Sequence, residues 1–201
     1  MKLIETTEEL EGHYGAVSTP ARNKVLPRIT PLYRAYIEAS PFCALASVGP
    51  EGLDCSPRGD DGPVVDIVSD TRLALPDRMG NNRIDTLRNI LRDPRVSLMF
   101  LIPGSGTVMR VNGRASLTAD PAVLERYVVK KKPPRTVMFV DVDEVYFQCA
   151  KSVVRSKLWS GGHVDVATLP TVGEMIEAVA EEFNAAEYDK AWPARAQETL
   201  W

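Results

Sequence analysis

Short runs of apolar residues, several alternating with polar ones, fill the middle of the chain, as expected for strands joined by tight turns. These runs cover 42–48, 53–59, 63–69, 72–76, 95–102, 104–118 and 135–150. Turn residues at Gly49–Gly52 and at Asp70-Thr71 separate the first four into two hairpins. Because most connections are hairpins and no βαβ unit repeats, the pattern predicts an antiparallel barrel with peripheral helices.

Helical spacing appears mainly around these runs. The predicted helices cover 5–13, 31–40, 82–92, 120–131 and 171–183. Thr30 and Pro31 provide an N-cap and a first-turn proline, whereas the Pro-punctuated stretch 19–30 is predicted to be a connector. We therefore expect one mainly-β domain with peripheral helices (α+β) over 1–201. Helical extensions are expected at the N-terminus (1–40) and the C-terminus (165–201).

Composition and charge argue against several classes of function. The 201 residues carry a net charge of −3, which offers no basic surplus for nucleic acid or an anionic membrane. No run approaches the roughly 18 apolar residues of a membrane span, and the acidic N-terminus lacks a signal-peptide core. Cys43, Cys55 and Cys149 are far apart, and with only His13 and His163 they form no zinc set. We expect a cytoplasmic, metal-free protein with reduced, buried thiols.

The turn before the helix at 82–92 is unusually cationic; its sequence is Pro76-Asp77-Arg78-Met79-Gly80-Asn81-Asn82-Arg83. Asn81 or Asn82 can cap this helix, with Asp85 completing a capping-box-like pair. Cations at a helix N-terminus are unfavourable unless an anion binds there, so Arg78 and Arg83 indicate a phosphate site. A well-capped helix with solvated arginines is the alternative.

Two further segments combine turn residues with positive charge. In SPRGDDG, Pro57 ends a strand beside Arg58. This arginine could line a flat ligand, or could pair with Asp60 or Asp61 in a surface turn. In RSKLW, Trp159 stands among basic residues before two glycines, where it could form a pocket rim or could simply belong to the core.

The motifs "SPRGD", "LPDRMGNNRIDTLRNILRDPRV" and "KSVVRSKLW", in this order, resemble the pyridoxamine 5′-phosphate oxidase-like family of FMN-binding split barrels. The similarity is greatest to a bacterial subgroup of FMN-binding flavoproteins of about this length. The resemblance implies a split antiparallel β-barrel that forms a homodimer and holds FMN in two clefts at the subunit interface. It also implies a small-molecule substrate, or an electron donor such as NAD(P)H.

The same resemblance implies roles for individual residues. Those expected at the phosphate are Asn81, Asn82 and Arg83, assisted by Arg78 and Arg58. Those expected along the ribityl chain and the isoalloxazine ring are Ser56, Pro57, Leu75, Pro76 and Asp77. Those expected from the other subunit are Lys157 and Trp159.

The departures from the family concern the substrate. No histidine and arginine near the C-terminus match those that recognise pyridoxal phosphate in the true oxidases, and Gln148 stands where several relatives have histidine. His163, in the glycine-bounded loop SGGHVDV, is not expected to be a substrate ligand. No catalytic residue can be named. The alternatives are a flavin-binding redox or sensor module, a barrel that uses deazaflavin or haem, and a ligand-free dimeric barrel. Neither histidine is well placed as a haem ligand.

Overall fold

The computed structural model describes residues 1–161 and 163–201. Its centre is one seven-stranded antiparallel sheet with the strand order β2-β1-β5-β6-β7-β4-β3. The strands are β1 (Phe42–Gly49), β2 (Gly52–Gly59), β3 (Asp66–Ser69), β4 (Arg72–Asp77), β5 (Arg95–Leu101), β6 (Val108–Thr118) and β7 (Thr136–Gln148). Every predicted run overlaps one of these strands, and both predicted hairpins are present. The predicted fold class, mainly β with peripheral helices, is confirmed.

Eight helices lie around the sheet in the described residues. They are α1 (Thr7–Glu11), α2 (Thr19–Asn23), α3 (Pro31–Glu38), α4 (Asp85–Arg92), α5 (Pro121–Leu124), α6 (Lys151–Arg155), α7 (Val172–Glu177) and α8 (Ala185–Thr199). Single 3₁₀ turns occupy Glu125–Tyr127 and Val166–Thr168. The predicted start of α3 is confirmed, because the Thr30 hydroxyl accepts a hydrogen bond from the Tyr33 N–H and Pro31 is the first helical residue. The predicted connector 19–30 contains the short helix α2.

The helix predicted over 82–92 begins three residues later than expected. Asn82 (φ 63°) and Ile84 (φ 53°) are both in the left-handed region, which an α-helix of L-residues cannot include. Ile84 is the N-cap and provides no side-chain hydrogen bond, so the predicted capping role of Asn81 or Asn82 is wrong. Pattern reasoning missed this because the apolar spacing of 84–91 gives no information on the backbone before it.

Two other predicted helices are shorter than expected. The helix predicted over 120–131 ends in the 3₁₀ turn at Tyr127, and a tight turn follows with Lys130 and Lys131 at φ 47° and 66°. The helix predicted over 171–183 ends at Glu177. Val179, predicted on its apolar face, is 85% exposed in the single chain.

The hydrophobic core is the concave face of the curved sheet. Alternate residues of the strands point inward and are fully buried, for example Leu45, Leu98, Val111 and Val140. Cys43 belongs to this core, and burial raises the pKa of its thiol to about 12. Cys55 and Cys149 are exposed, so the prediction of buried thiols is wrong for these two. Cys55 is exposed because it lies on the outward-facing side of β2, an edge strand.

No helix in the described part of the chain is long and apolar enough to cross a membrane. Within the same residues, His, Cys, Asp and Glu side chains form no group of three or more that could hold a metal ion.

The register of β6 against β7 shifts at Asn112 and Gly113, and this irregularity bends the sheet. A Cβ atom on Gly113 would lie 2.1 Å from the carbonyl oxygen of Asp141. We therefore expect Gly113→Ala to lower the free energy of unfolding by about 1–3 kcal/mol, measured by urea denaturation. Gly15→Ala is the matched control, since a Cβ there meets no atom within 4 Å. Equal stability of the two variants would contradict this account of the bend.

Candidate ligand site at the barrel seam

The curved sheet leaves a seam between β2 and the far end of β4. Strand β3 pairs with β4 only as far as Ala74, so residues 75–77 of β4 have no strand on that side. Two crossed ion pairs close this gap. Arg58 of β2 donates to Asp77 of β4 at 2.6 Å, and Arg78, after β4, contacts Asp60, after β2, at 2.9 Å. Side chains thus join the barrel where backbone hydrogen bonds do not.

The seam remains open as a cleft of about 220 Å³, which we call the seam cleft. Its apolar walls include Pro57, Leu75, Pro76 and Leu200, and its cationic wall includes Arg58 and Arg78. A proline has no N–H and cannot donate to a β-ladder, so a proline on each side of the seam disfavours closure by strand pairing. The sequence therefore maintains an opening with a proline on each side and two guanidinium groups in its wall.

A second cleft of about 230 Å³, the basic cleft, adjoins the first and shares Arg78 and Met79 with it. Its other walls include Lys132, Arg135 and Trp201. In the described residues neither Lys132 nor Arg135 has a carboxylate within 4 Å, whereas Arg58 and Arg78 are both ion-paired. Arg135 donates to the side-chain oxygen of Asn82, which attaches the turn after β4 to this cleft. The basic cleft is therefore the part of the site with uncompensated positive charge.

Arg78 connects four segments of the chain. Its guanidinium contacts the Asp60 carboxylate and donates to the backbone carbonyl of Tyr127 at 2.6 Å. It also lies 5.7 Å from the centre of the Trp201 ring. The Tyr127 hydroxyl in turn donates to Asp66 at 3.0 Å, and burial together with this carboxylate raises the pKa of Tyr127 to about 12. With these partners Arg78 is suited to hold the site together, more than to bind a ligand directly.

Several buried polar atoms at the site have no hydrogen-bond partner in the described part of the protein. They are Arg58 Nε, Thr136 Oγ1 and Trp201 Nε1. Arg58 pairs with Asp77, and Thr136 lies opposite Asp77 in the β4–β7 register. Buried donors without partners are costly and therefore rare. Their concentration around residues 77–78 indicates hydrogen-bonding capacity that a ligand can use.

The N-terminus of α4 is fixed to β2 by a buried polar cluster. The Thr86 hydroxyl, only 3% exposed, bridges the Asp54 carboxylate and the Ser56 hydroxyl. Arg83 points elsewhere: it pairs with Asp85, is 77% exposed, and lines a separate cleft of about 490 Å³ beside α4. The single chain therefore does not bring Arg83 to the seam.

The structure places the predicted site residues in three groups. Those brought together at the seam are Pro57, Arg58, Leu75, Pro76, Asp77 and Arg78. Those beside it are Ser56, bound to α4, and Asn82, bound to Arg135; Asn81 accepts a hydrogen bond from the Arg83 N–H. Those away from the seam of the same chain are Arg83, Lys157 and Trp159, the last donating to the Ser105 carbonyl at 2.8 Å. A contribution from the partner subunit stays a prediction. The loop of His163 includes Gly162, which lies outside the described residues.

Sequence reasoning missed several residues of the site, namely Tyr127, Lys132, Arg135, Thr136, Leu200 and Trp201. It considered Asp60 only as a surface partner of Arg58. The basic, proline-containing run KKKPPR at 130–135 was a usable signal, because it combines four cations with no acid. No local pattern connects Trp201 to a turn more than a hundred residues earlier.

An antiparallel barrel with an open, cation-lined seam defines a split-barrel protein. A sequence model described as pyridoxamine 5′-phosphate oxidase matches residues 29–149, more than half of the chain. The chain therefore belongs to the pyridoxamine 5′-phosphate oxidase family. The matched residues contain all seven strands and exclude α7 and α8.

Solved structures with a similar fold have low sequence identity to this chain. HupZ of Group A Streptococcus has a TM-score of 0.50 at 14% identity, over 60% of this chain and 94% of that one. A pyridoxamine 5′-phosphate oxidase-related, FMN-binding protein of Nostoc punctiforme has a TM-score of 0.44 at 14% identity, over 59% of this chain and 78% of that one. An FMN-binding protein of Syntrophomonas wolfei has a TM-score of 0.43 at 14% identity, over 63% of this chain and 86% of that one. At 14% identity the likeness to HupZ shows the fold alone. No curated protein matches the chain.

The seam ion pairs should contribute to stability. Arg78 is 16% exposed and has three protein partners, so Arg78→Ala should lower the free energy of unfolding by about 2–4 kcal/mol. Arg83→Ala removes the same type of side chain from an exposed ion pair and should lower the free energy of unfolding by about 0.5 kcal/mol or less. Urea denaturation of both variants tests this comparison. Similar losses would show that Arg78 does not hold the seam.

Proposed function

We propose that this protein is an FMN-binding flavoprotein, an oxidoreductase acting on a small molecule, with FMN bound at the seam. The observation that carries this proposal is the group of unpartnered buried donors around Asp77, next to two apolar-walled clefts that contain cations. Membership of the family supports the same cofactor, since FMN is the cofactor that the resemblance implies.

The residues present fit the parts of FMN. Pro57 and Pro76 offer apolar surface for the isoalloxazine ring, and Arg58, although paired with Asp77, offers an unpartnered Nε donor. The phosphate suits the turn at 81–83, where Arg135 supplies a guanidinium through its contact with Asn82. When bound, FMN supplies hydride or single-electron transfer, and the protein supplies placement and electrostatics.

Neither the seam cleft nor the basic cleft is large enough by itself for the whole cofactor. Pockets that enclose small ligands usually measure about 300–1,000 Å³, and the seam cleft alone has about 220 Å³. The adjoining basic cleft extends the available space along Arg78 and Met79. We propose that a second subunit of a homodimer completes the site, with Lys157 and Trp159 as its contribution. NAD(P)H is the proposed electron donor.

The first test is an absorption spectrum of the purified, desalted protein, followed by heat release and chromatography of the chromophore. We expect two flavin bands and about one FMN per chain. A protein that is colourless and takes up no added FMN would contradict the proposal. Flavin binding without turnover of any acceptor in a quinone and nitro-compound panel would favour the redox or sensor module instead.

Arginine variants test where the phosphate binds. Losing a hydrogen bond to a charged group costs about 1.5–3 kcal/mol, so Arg83→Ala and Arg135→Ala should each weaken FMN binding roughly ten- to hundredfold. Isothermal titration with FMN gives the dissociation constants. Arg34→Ala is the matched control, since Arg34 pairs with Glu38 on the surface of α3.

The two variants show on which side of the turn at 81–83 the phosphate binds. If only Arg135→Ala weakens binding, the phosphate lies in the basic cleft and the prediction for Arg83 is wrong. If neither variant differs from Arg34→Ala, the phosphate assignment as a whole is wrong.

A further inference from the structure

The end of helix α8 reaches the ligand site although most of the helix lies away from it. Leu200 lines the seam cleft, and Trp201 lines the basic cleft. Lys132 donates to the backbone carbonyl of Glu198 at 2.8 Å and so fixes the last turn of the helix to the edge of the basic cleft. This segment lies outside residues 29–149, the part of the chain that the family shares.

Trp201 is held in a defined position by two cations. Its ring centre lies 5.7 Å from the Arg78 guanidinium carbon and 5.3 Å from Lys130 Nζ. Arg78 is itself fixed by Asp60 and by the Tyr127 carbonyl. The indole therefore rests on a guanidinium with two hydrogen-bond partners of its own, which suits a side chain that orients a ligand.

The polar edge of Trp201 is unused. Its Nε1 is buried and has no hydrogen-bond partner in the described residues. Buried indole N–H groups normally have a partner. Trp159 follows this rule, because its Nε1 donates to the Ser105 carbonyl. A ligand acceptor in the adjoining cleft would satisfy Trp201.

We propose that Leu200 and Trp201 close the seam from the same chain over bound FMN. In this arrangement Leu200 extends the apolar wall formed by Pro57 and Pro76, and Trp201 Nε1 donates a hydrogen bond to the cofactor. The inference rests on the proposed function and assigns FMN-binding residues to a segment outside the shared family region. It also gives α8 a role: it positions these two side chains.

The test uses the full-length protein with Trp201→Phe and Trp201→Ala. The phenylalanine keeps an aromatic ring on Arg78 but lacks the donor, so FMN binding should weaken about fivefold. The alanine also loses the aromatic surface, and binding should weaken about twentyfold or more. Flavin fluorescence should rise in both variants, because a neighbouring indole quenches flavin emission by electron transfer. Isothermal titration and emission spectra measure the two effects.

Trp192→Phe is the matched control, since Trp192 lies on the same helix, is half exposed, and lines neither cleft. It should leave both affinity and emission unchanged. Melting curves of FMN-free samples show whether Trp201→Ala remains folded, and Trp201→Phe carries the test if it does not.

Wild-type affinity and emission in Trp201→Phe and Trp201→Ala would overturn this inference while leaving FMN binding established. Tighter FMN binding in these variants would also overturn it, by showing that Trp201 blocks the cleft. A wild-type protein that takes up no FMN would overturn the proposed function and, with it, this role of Trp201.

Discussion

The crossed ion pairs Arg58–Asp77 and Asp60–Arg78 close this barrel at the seam and leave a cleft there. They join β2, an edge strand of the curved sheet, to the end of β4 at 2.6 and 2.9 Å, where no backbone ladder connects β2 to β4. A continuous ladder would bury the strand edges against each other and leave no space between them. Closure by long side chains keeps the edges apart, and the resulting gap is the seam cleft.

Charge is distributed unevenly around this gap. Arg58 and Arg78 are compensated by the carboxylates that close the seam, so an anion that approached them would compete with Asp60 and Asp77. Lys132 and Arg135 have no such carboxylate within the described residues. An anionic ligand therefore gains most on the basic side, whereas the seam arginines mainly determine shape.

Much of the barrel could be predicted from sequence because its signals are local. Alternation gives the strands, and turn residues such as Gly49 and Gly52 give the hairpins. The start of α4 could not be predicted, because the left-handed conformation of Ile84 has no marker such as glycine or asparagine. The candidate site could be predicted only in part. Local motifs indicate Arg58 and Asp77 individually, but their pairing across the seam depends on the curvature of the whole sheet.

The missed residues share a physical cause. Arg135 and Trp201 reach the site through contacts between segments far apart in sequence, and neither belongs to a periodic pattern. Lys130 and Lys131 occupy left-handed positions that normally favour asparagine or glycine. Lys130 places positive charge 5.3 Å from the centre of the Trp201 ring, at a cost in backbone strain. Because Trp201 lines the basic cleft, this turn adds to the positive charge that an anionic ligand in the cleft would meet.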